Sequence, residues 1–116
     1  MTEAYDPIAA FYSLQPARFA TLLDFQLHQE IVGSDVYPVL TLSLRLGSGE
    51  GRGVLALVFE GVRDLKIDWP SQLPVEVDVI DVRDVTDHGL EDIRYRVSEG
   101  EGLLAFSCKD FRANLD

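Results

Sequence analysis

Asp78, Asp81, Asp84, Asp87, His88 and Glu91 crowd one short stretch of this chain, and they are residue types that bind cations or move protons. Between Glu76 and Asp92, seven of seventeen residues are acidic, and Arg83 is the only Lys or Arg among them. Carboxylates gathered on a loop can coordinate calcium, but the spacing here does not match an EF-hand loop. Paired carboxylates perform acid–base chemistry only in a cleft that shifts their pKa. As a group, the acids make a local negative field that steers a basic partner and speeds association. Asp78, Asp84, Asp87 and Glu91 are the expected contacts, on a strand's outward face and in the turn beside it. Plain solubility accounts for the same acids without a partner. A small-ligand or catalytic pocket near Asp84, Asp87 and His88 is the alternative.

Other reactive types are sparse. His28 and His88 are the only histidines, and Cys108 is the only thiol. A nucleophile needs a base within hydrogen-bond reach. Cys108 instead shares the apolar side of a strand with Leu104 and Phe106, where packing explains it. The glycine-rich run Gly47–Gly53 invites a phosphate-loop reading. Such a loop needs a following helix and usually a lysine. Here a strand pattern follows and Arg52 is the only cation, so the run reads as a hairpin loop. Trp69, beside Pro70, is the best single candidate for an aromatic anchor of an interface, since tryptophan is enriched in binding hot spots. Its bland reading is an edge residue closing the core. No cofactor, metal or catalytic set is predicted.

Composition narrows the partners. The chain has 116 residues, the length of a single β-rich domain spanning 1–116. Its formal net charge of −10 repels phosphate backbones and anionic lipid surfaces. Nucleic acid and membrane are therefore not expected, whereas a basic protein partner is. One cysteine cannot form an internal disulfide and fits a reducing compartment. With no apolar run near the length of a spanning helix and no basic leader before Glu3 and Asp6, the cytoplasm is expected.

The elements that must position these residues are mostly strands. Leu40, Leu42, Leu44 and Leu46 alternate with polar positions, and Leu55, Leu57 and Phe59 keep the same period of two. Asp6 as N-cap and Pro7 at the first helical position predict a short helix ending near Leu14. Residues 19–32 read as a strand with Leu23, Phe25 and Leu27 on one face, although a helix over 17–27 also fits. Strands follow at 37–46, 54–60, 62–67, from Val75, around Tyr95 and over 103–111. Apolar parity slips after Val79, as at a β-bulge or a strand end. Leu42, Leu44, Leu57, Phe59, Val77, Tyr95 and Phe106 should form the core. The expected fold is mainly β, an antiparallel sandwich or partly open barrel of six to seven strands with one short N-terminal helix. An edge strand also offers a route to a homodimer.

The segment Leu55-Ala56-Leu57-Val58-Phe59-Glu60-Gly61-Val62-Arg63-Asp64-Leu65-Lys66-Ile67 resembles a signature of small bacterial β-rich proteins. It runs as an apolar strand, then Phe-x-Gly-Val, then a short Asp-Leu-x-apolar strand. The hairpin ending at Leu46 and the segment Gly102–Cys108 fit the same layout. Some of these proteins are immunity proteins of polymorphic toxin systems. Such families often carry a His-Asp pair near the first strand, where this chain has Leu22-Leu23-Asp24-Phe25. The resemblance implies a non-enzymatic inhibitor that binds a cognate toxin, and it carries over no catalytic residue.

Overall fold

Three extended segments of the chain bend from one sheet into another, and those bends set the architecture. The computed structural model describes residues 6–31, 38–48, 53–68, 72–86 and 93–115. In chain order they form helix α1 (Pro7–Ser13), a 3-10 turn (Pro16–Arg18) and nine strands. The strands are β1 (Thr21–Ile31), β2 (Pro38–Gly47), β3 (Val54–Glu60), β4 (Arg63–Ile67), β5 (Val75–Glu76), β6 (Ile80–Asp84), β7 (Tyr95–Glu99), β8 (Leu104–Cys108) and β9 (Asp110–Leu115). One sheet has the order β5-β1-β2-β3-β9 and the other β4-β8-β7-β6, with every pairing antiparallel. The result is a sandwich-like, mainly β fold with one short helix, as the alternation predicts.

The strand count exceeds six to seven because two segments that read as single strands are divided. The segment from Val75 to Val82 gives β5 to the first sheet and β6 to the second. Residues 103–111 give β8 to the second sheet and begin β9 in the first. Strands that switch sheets at a bend are a known way to make the corners of packed sheets. The parity slip after Val79 is therefore a crossing between sheets, not a bulge within one strand. Val77 still donates its N–H to the Ala20 carbonyl at 2.8 Å, and Ile80 already faces Glu99 in the other sheet.

A bulge does occur, in β1. Leu22 faces Leu46 and Asp24 faces Arg45, so Leu23 is the extra residue. Leu22 is buried, while Leu23 and Leu27 are 40% and 43% exposed. The expected single apolar face of Leu23, Phe25 and Leu27 is thus corrected, and so is the helix over 17–27. Asp6 caps α1 as expected, its Oδ1 accepting from the N–H groups of Ile8 at 3.0 Å and Ala9 at 3.3 Å.

All seven expected core residues are buried. Their centre is aromatic. Phe59 meets Phe106 edge-on at 4.9 Å and stacks on Phe111 at 5.9 Å, while Tyr95 and Phe11 meet Phe111 edge-on at 4.9 and 6.0 Å. Helix α1 supplies Phe11, so the helix is a lid on this cluster.

Gly61 makes the β3–β4 corner possible. Its φ is +69°, and a Cβ placed there would stand 3.0 Å from the Lys109 Cβ at the facing β8–β9 corner. Lys109 also donates its N–H to the Glu60 carbonyl at 3.0 Å, so the two corners cannot drift apart. Gly61→Ala should cost about 1–3 kcal/mol in urea unfolding, from left-handed backbone strain plus this contact. A loss of under about 0.3 kcal/mol would show that the corner relaxes freely, below the scale of such strain.

Candidate protein-binding surface

Strand β6 is an edge of the four-stranded sheet, and it carries Asp81 and Asp84 of the acidic stretch, with Asp78 at the corner before it. Each acid there is tied into the fold. Asp78 lies at the corner before β6, exposed, with its Oδ1 accepting from the Val79 N–H at 2.8 Å. Asp81 accepts from the Tyr12 hydroxyl at 2.6 Å through Oδ1 and from Arg83 Nε at 3.1 Å through Oδ2. The Val82 N–H donates to the Tyr12 oxygen at 3.2 Å, so α1 bonds directly to the β6 backbone. Burial and the Asp81 hydrogen bond hold the Tyr12 hydroxyl above its ordinary pKa. Asp84 ends the strand and accepts from the Thr86 N–H at 2.8 Å. Hydrogen bonds from the Thr86 side chain and backbone lower its carboxyl pKa, keeping it ionised.

Asp78, Asp81 and Asp84 thus recur every third residue from the corner to the end of one edge strand. Trp69, Asp87, His88 and Glu91 lie outside the described residues. A described cleft is lined by Pro7, Glu60, Arg94, Asp110, Phe111 and Arg112, and Asp84 is not part of it. Its charges are mixed, with Arg112 paired to Glu60 at 3.1 Å. Cys108 is fully buried, and desolvation followed by the Asp110 charge pushes its thiol up to about 12. A nucleophilic thiolate is therefore not available there at neutral pH. Among the described residues, no helix is long and apolar enough to cross a membrane. Nor do three or more of their His, Cys, Asp and Glu side chains gather as a metal site would require.

Two features escape the sequence reading. Glu99, only 4% exposed, accepts from the backbone N–H groups of Asp78 at 2.8 Å, of Glu101, and of Leu103 at 3.2 Å. It fastens the corner that presents Asp78 to the β7–β8 turn. The second feature is basic. Arg83 faces Arg96 directly across β6 and β7, Arg96 faces Ser107 on β8, and Ser107 faces Arg63 on β4. Alternation of strand parity signals each of these positions singly, but only the pairing register aligns them.

The chain has a packed core, a corner-locked sandwich and charged outer faces. Residues 3–114 match the family described as Immunity protein PIM8. The chain belongs to this immunity-protein family. No curated protein and no solved structure matches it. Membership agrees with the resemblance carried by the segment Leu55–Ile67, which forms β3, the Gly61 corner and β4. In this chain that segment is the sheet-switching bend, so the motif records fold more directly than contact chemistry. Membership also gives the function class, immunity-like protein binding.

Proposed function

We propose that this chain neutralises a cognate toxin by binding it as a non-enzymatic inhibitor in the cytoplasm. The observation that carries this reading is the family match over nearly the whole chain. The acidic edge supplies the electrostatics. Asp78 and Asp84, with Asp87 and Glu91 farther along the same acidic stretch, are the contacts we assign to a basic region of the toxin, and Trp69 is the aromatic anchor we assign to the interface. Net charge of −10 supports attraction to such a partner and opposes nucleic-acid binding.

The test uses the toxin recovered with the chain by pull-down. The wild-type chain should bind it and protect cells that express it. Asp84→Asn with Asp87→Asn removes two charges while an Asn oxygen can still accept from Thr86. This variant should associate about threefold to tenfold more slowly at low salt, because steering depends on long-range charge. The gap should close towards 1 M salt, where the screening length falls from about 10 Å to about 3 Å. Equal rates at low salt would assign these acids to solubility.

A further inference from the structure

In an acidic protein, the described outer face of the four-stranded sheet gathers four cationic side chains. One cross-strand row reads Arg83, Arg96, Ser107, Arg63, and the next reads Asp81, Ser98, Ala105, Lys66. Their neighbours Val82, Tyr95, Val97, Leu104 and Phe106 are buried, so strand alternation puts both rows on the side away from the core. Arg63, Lys66, Arg83 and Arg96 are exposed, and they are four of the chain's ten Lys and Arg residues. Asp81 is the one acid paired within the two rows, and the exposed Asp64 lies in the β4 bulge between Arg63 and Lys66.

The Arg83–Arg96 pairing is the telling detail. Residues directly opposite on one face of an antiparallel pair have Cβ atoms about 5 Å apart, and like charges there are destabilising. Asp81 offsets Arg83 from the same strand, and Arg96 Nη1 donates to the buried Ser107 hydroxyl at 3.1 Å. That bond holds Arg96 across the sheet, in line with the row, while the guanidinium keeps donors for another acceptor.

We propose that this arginine row docks an acidic, carboxylate-rich segment of the toxin, beside the acidic β6 edge. The inference rests on the protein-binding reading above and adds a second, oppositely charged contact to it. Arginine forks match carboxylates bidentately. Phosphate would match as well, but a polyanion must approach a chain of net charge −10, whereas a protein need present only a local acidic patch. Adjacent acidic and basic strips demand a partner with the reversed pattern, which rejects wrong partners through like-charge contacts.

Three measurements test the proposal. Arg83→Thr and Arg96→Thr should each weaken toxin binding by about tenfold or more, since truncating a partner of a desolvated charge pair is costly. The urea midpoint of Arg83→Thr should stay level or rise, because a like-charge pair is removed and threonine suits a strand. If the wild-type chain binds the toxin and both variants bind equally well, the row is not a contact and the proposal falls while the protein-binding reading stands. A clear fall in the Arg83→Thr midpoint would assign the row to stability and overturn the proposal. An octaglutamate peptide, titrated against the labelled chain and followed by amide shifts, decides the matter even if the toxin does not bind. Shifts centred on residues 63, 66, 83, 96 and 107 support the docking face, and shifts elsewhere or none overturn it. Tighter binding of a DNA duplex than of octaglutamate at that face would overturn the choice of carboxylate.

Discussion

Replacing Phe59 with alanine should lower the free energy of urea unfolding by about 3–5 kcal/mol, the range for truncating a buried phenylalanine. The position has no slack. Phe59 is fully buried, faces Leu42 on β2 and Phe111 on β9, and touches Phe106 on the opposite sheet. Its ring therefore joins both layers of the sandwich. Removing it loses transfer free energy and leaves a cavity walled by Phe106 and Phe111, whose backbones are held in paired strands and cannot close in fully. The edge-to-face contact at 4.9 Å adds a term beyond burial. Phe59→Leu should recover much of the loss, because it restores volume without the ring. A loss under about 1 kcal/mol for the alanine variant would place Phe59 outside the core and contradict the parity of β3.

That prediction needs only local information, which explains why the core was legible in the sequence. Leu42, Leu44, Leu57, Phe59, Tyr95 and Phe106 sit at one parity of their strands, and a buried face demands that parity. The α1 cap was legible for the same reason, since Asp6 and Pro7 act on the next few N–H groups. Sheet membership was not. Val75 to Val82 is continuous extended chain, and the pattern alone does not separate a bulge from a passage between layers. The distinction lies in partners distant in sequence. Ala20 receives the Val77 N–H, whereas Ile80 lies against Glu99.

The candidate site divides along the same line. A run of acids is visible in any sequence, and membership in an immunity-protein family agrees with the binding role inferred from it. The arginine row is assembled from four strands, with Arg63, Arg83 and Arg96 separated by up to 33 positions, so only register reveals it. The structure also shows why several acids stand where they do. Asp81 fastens α1 to an edge strand and Asp84 closes the turn after it, roles that net charge does not disclose. Those local roles are compatible with steering, because the Thr86 hydrogen bonds lower the Asp84 carboxyl pKa and keep it charged.

Glu99→Ala should destabilise the fold by about 2–4 kcal/mol, because its carboxylate is the acceptor for three backbone donors. All three bonds are part-buried, so water replaces the lost acceptor only in part and the donors share the cost. Space adds to the constraint, since a Cβ at Gly100 would overlap the Asp78 carboxylate. The crossing from β5 to β6 is thus closed down onto the β7–β8 turn, and the Glu99 carboxylate is what holds it there. Glu99→Gln separates the bonds. An amide oxygen at the Oε1 position still accepts from Glu101 and Leu103, but the amide nitrogen then meets the Asp78 N–H, donor against donor. Amide hydrogen exchange should therefore speed up at Asp78 in the Gln variant while Leu103 stays protected. If the alanine variant lost under about 0.5 kcal/mol, within the range of ordinary surface substitutions, Glu99 would not be holding the corner. If it unfolded as predicted but Glu99→Gln left Asp78 protected, the corner would be held by the β6–β7 ladder instead. The Asp78 end of the proposed toxin-binding edge would then owe its placement to backbone pairing, not to this buried carboxylate.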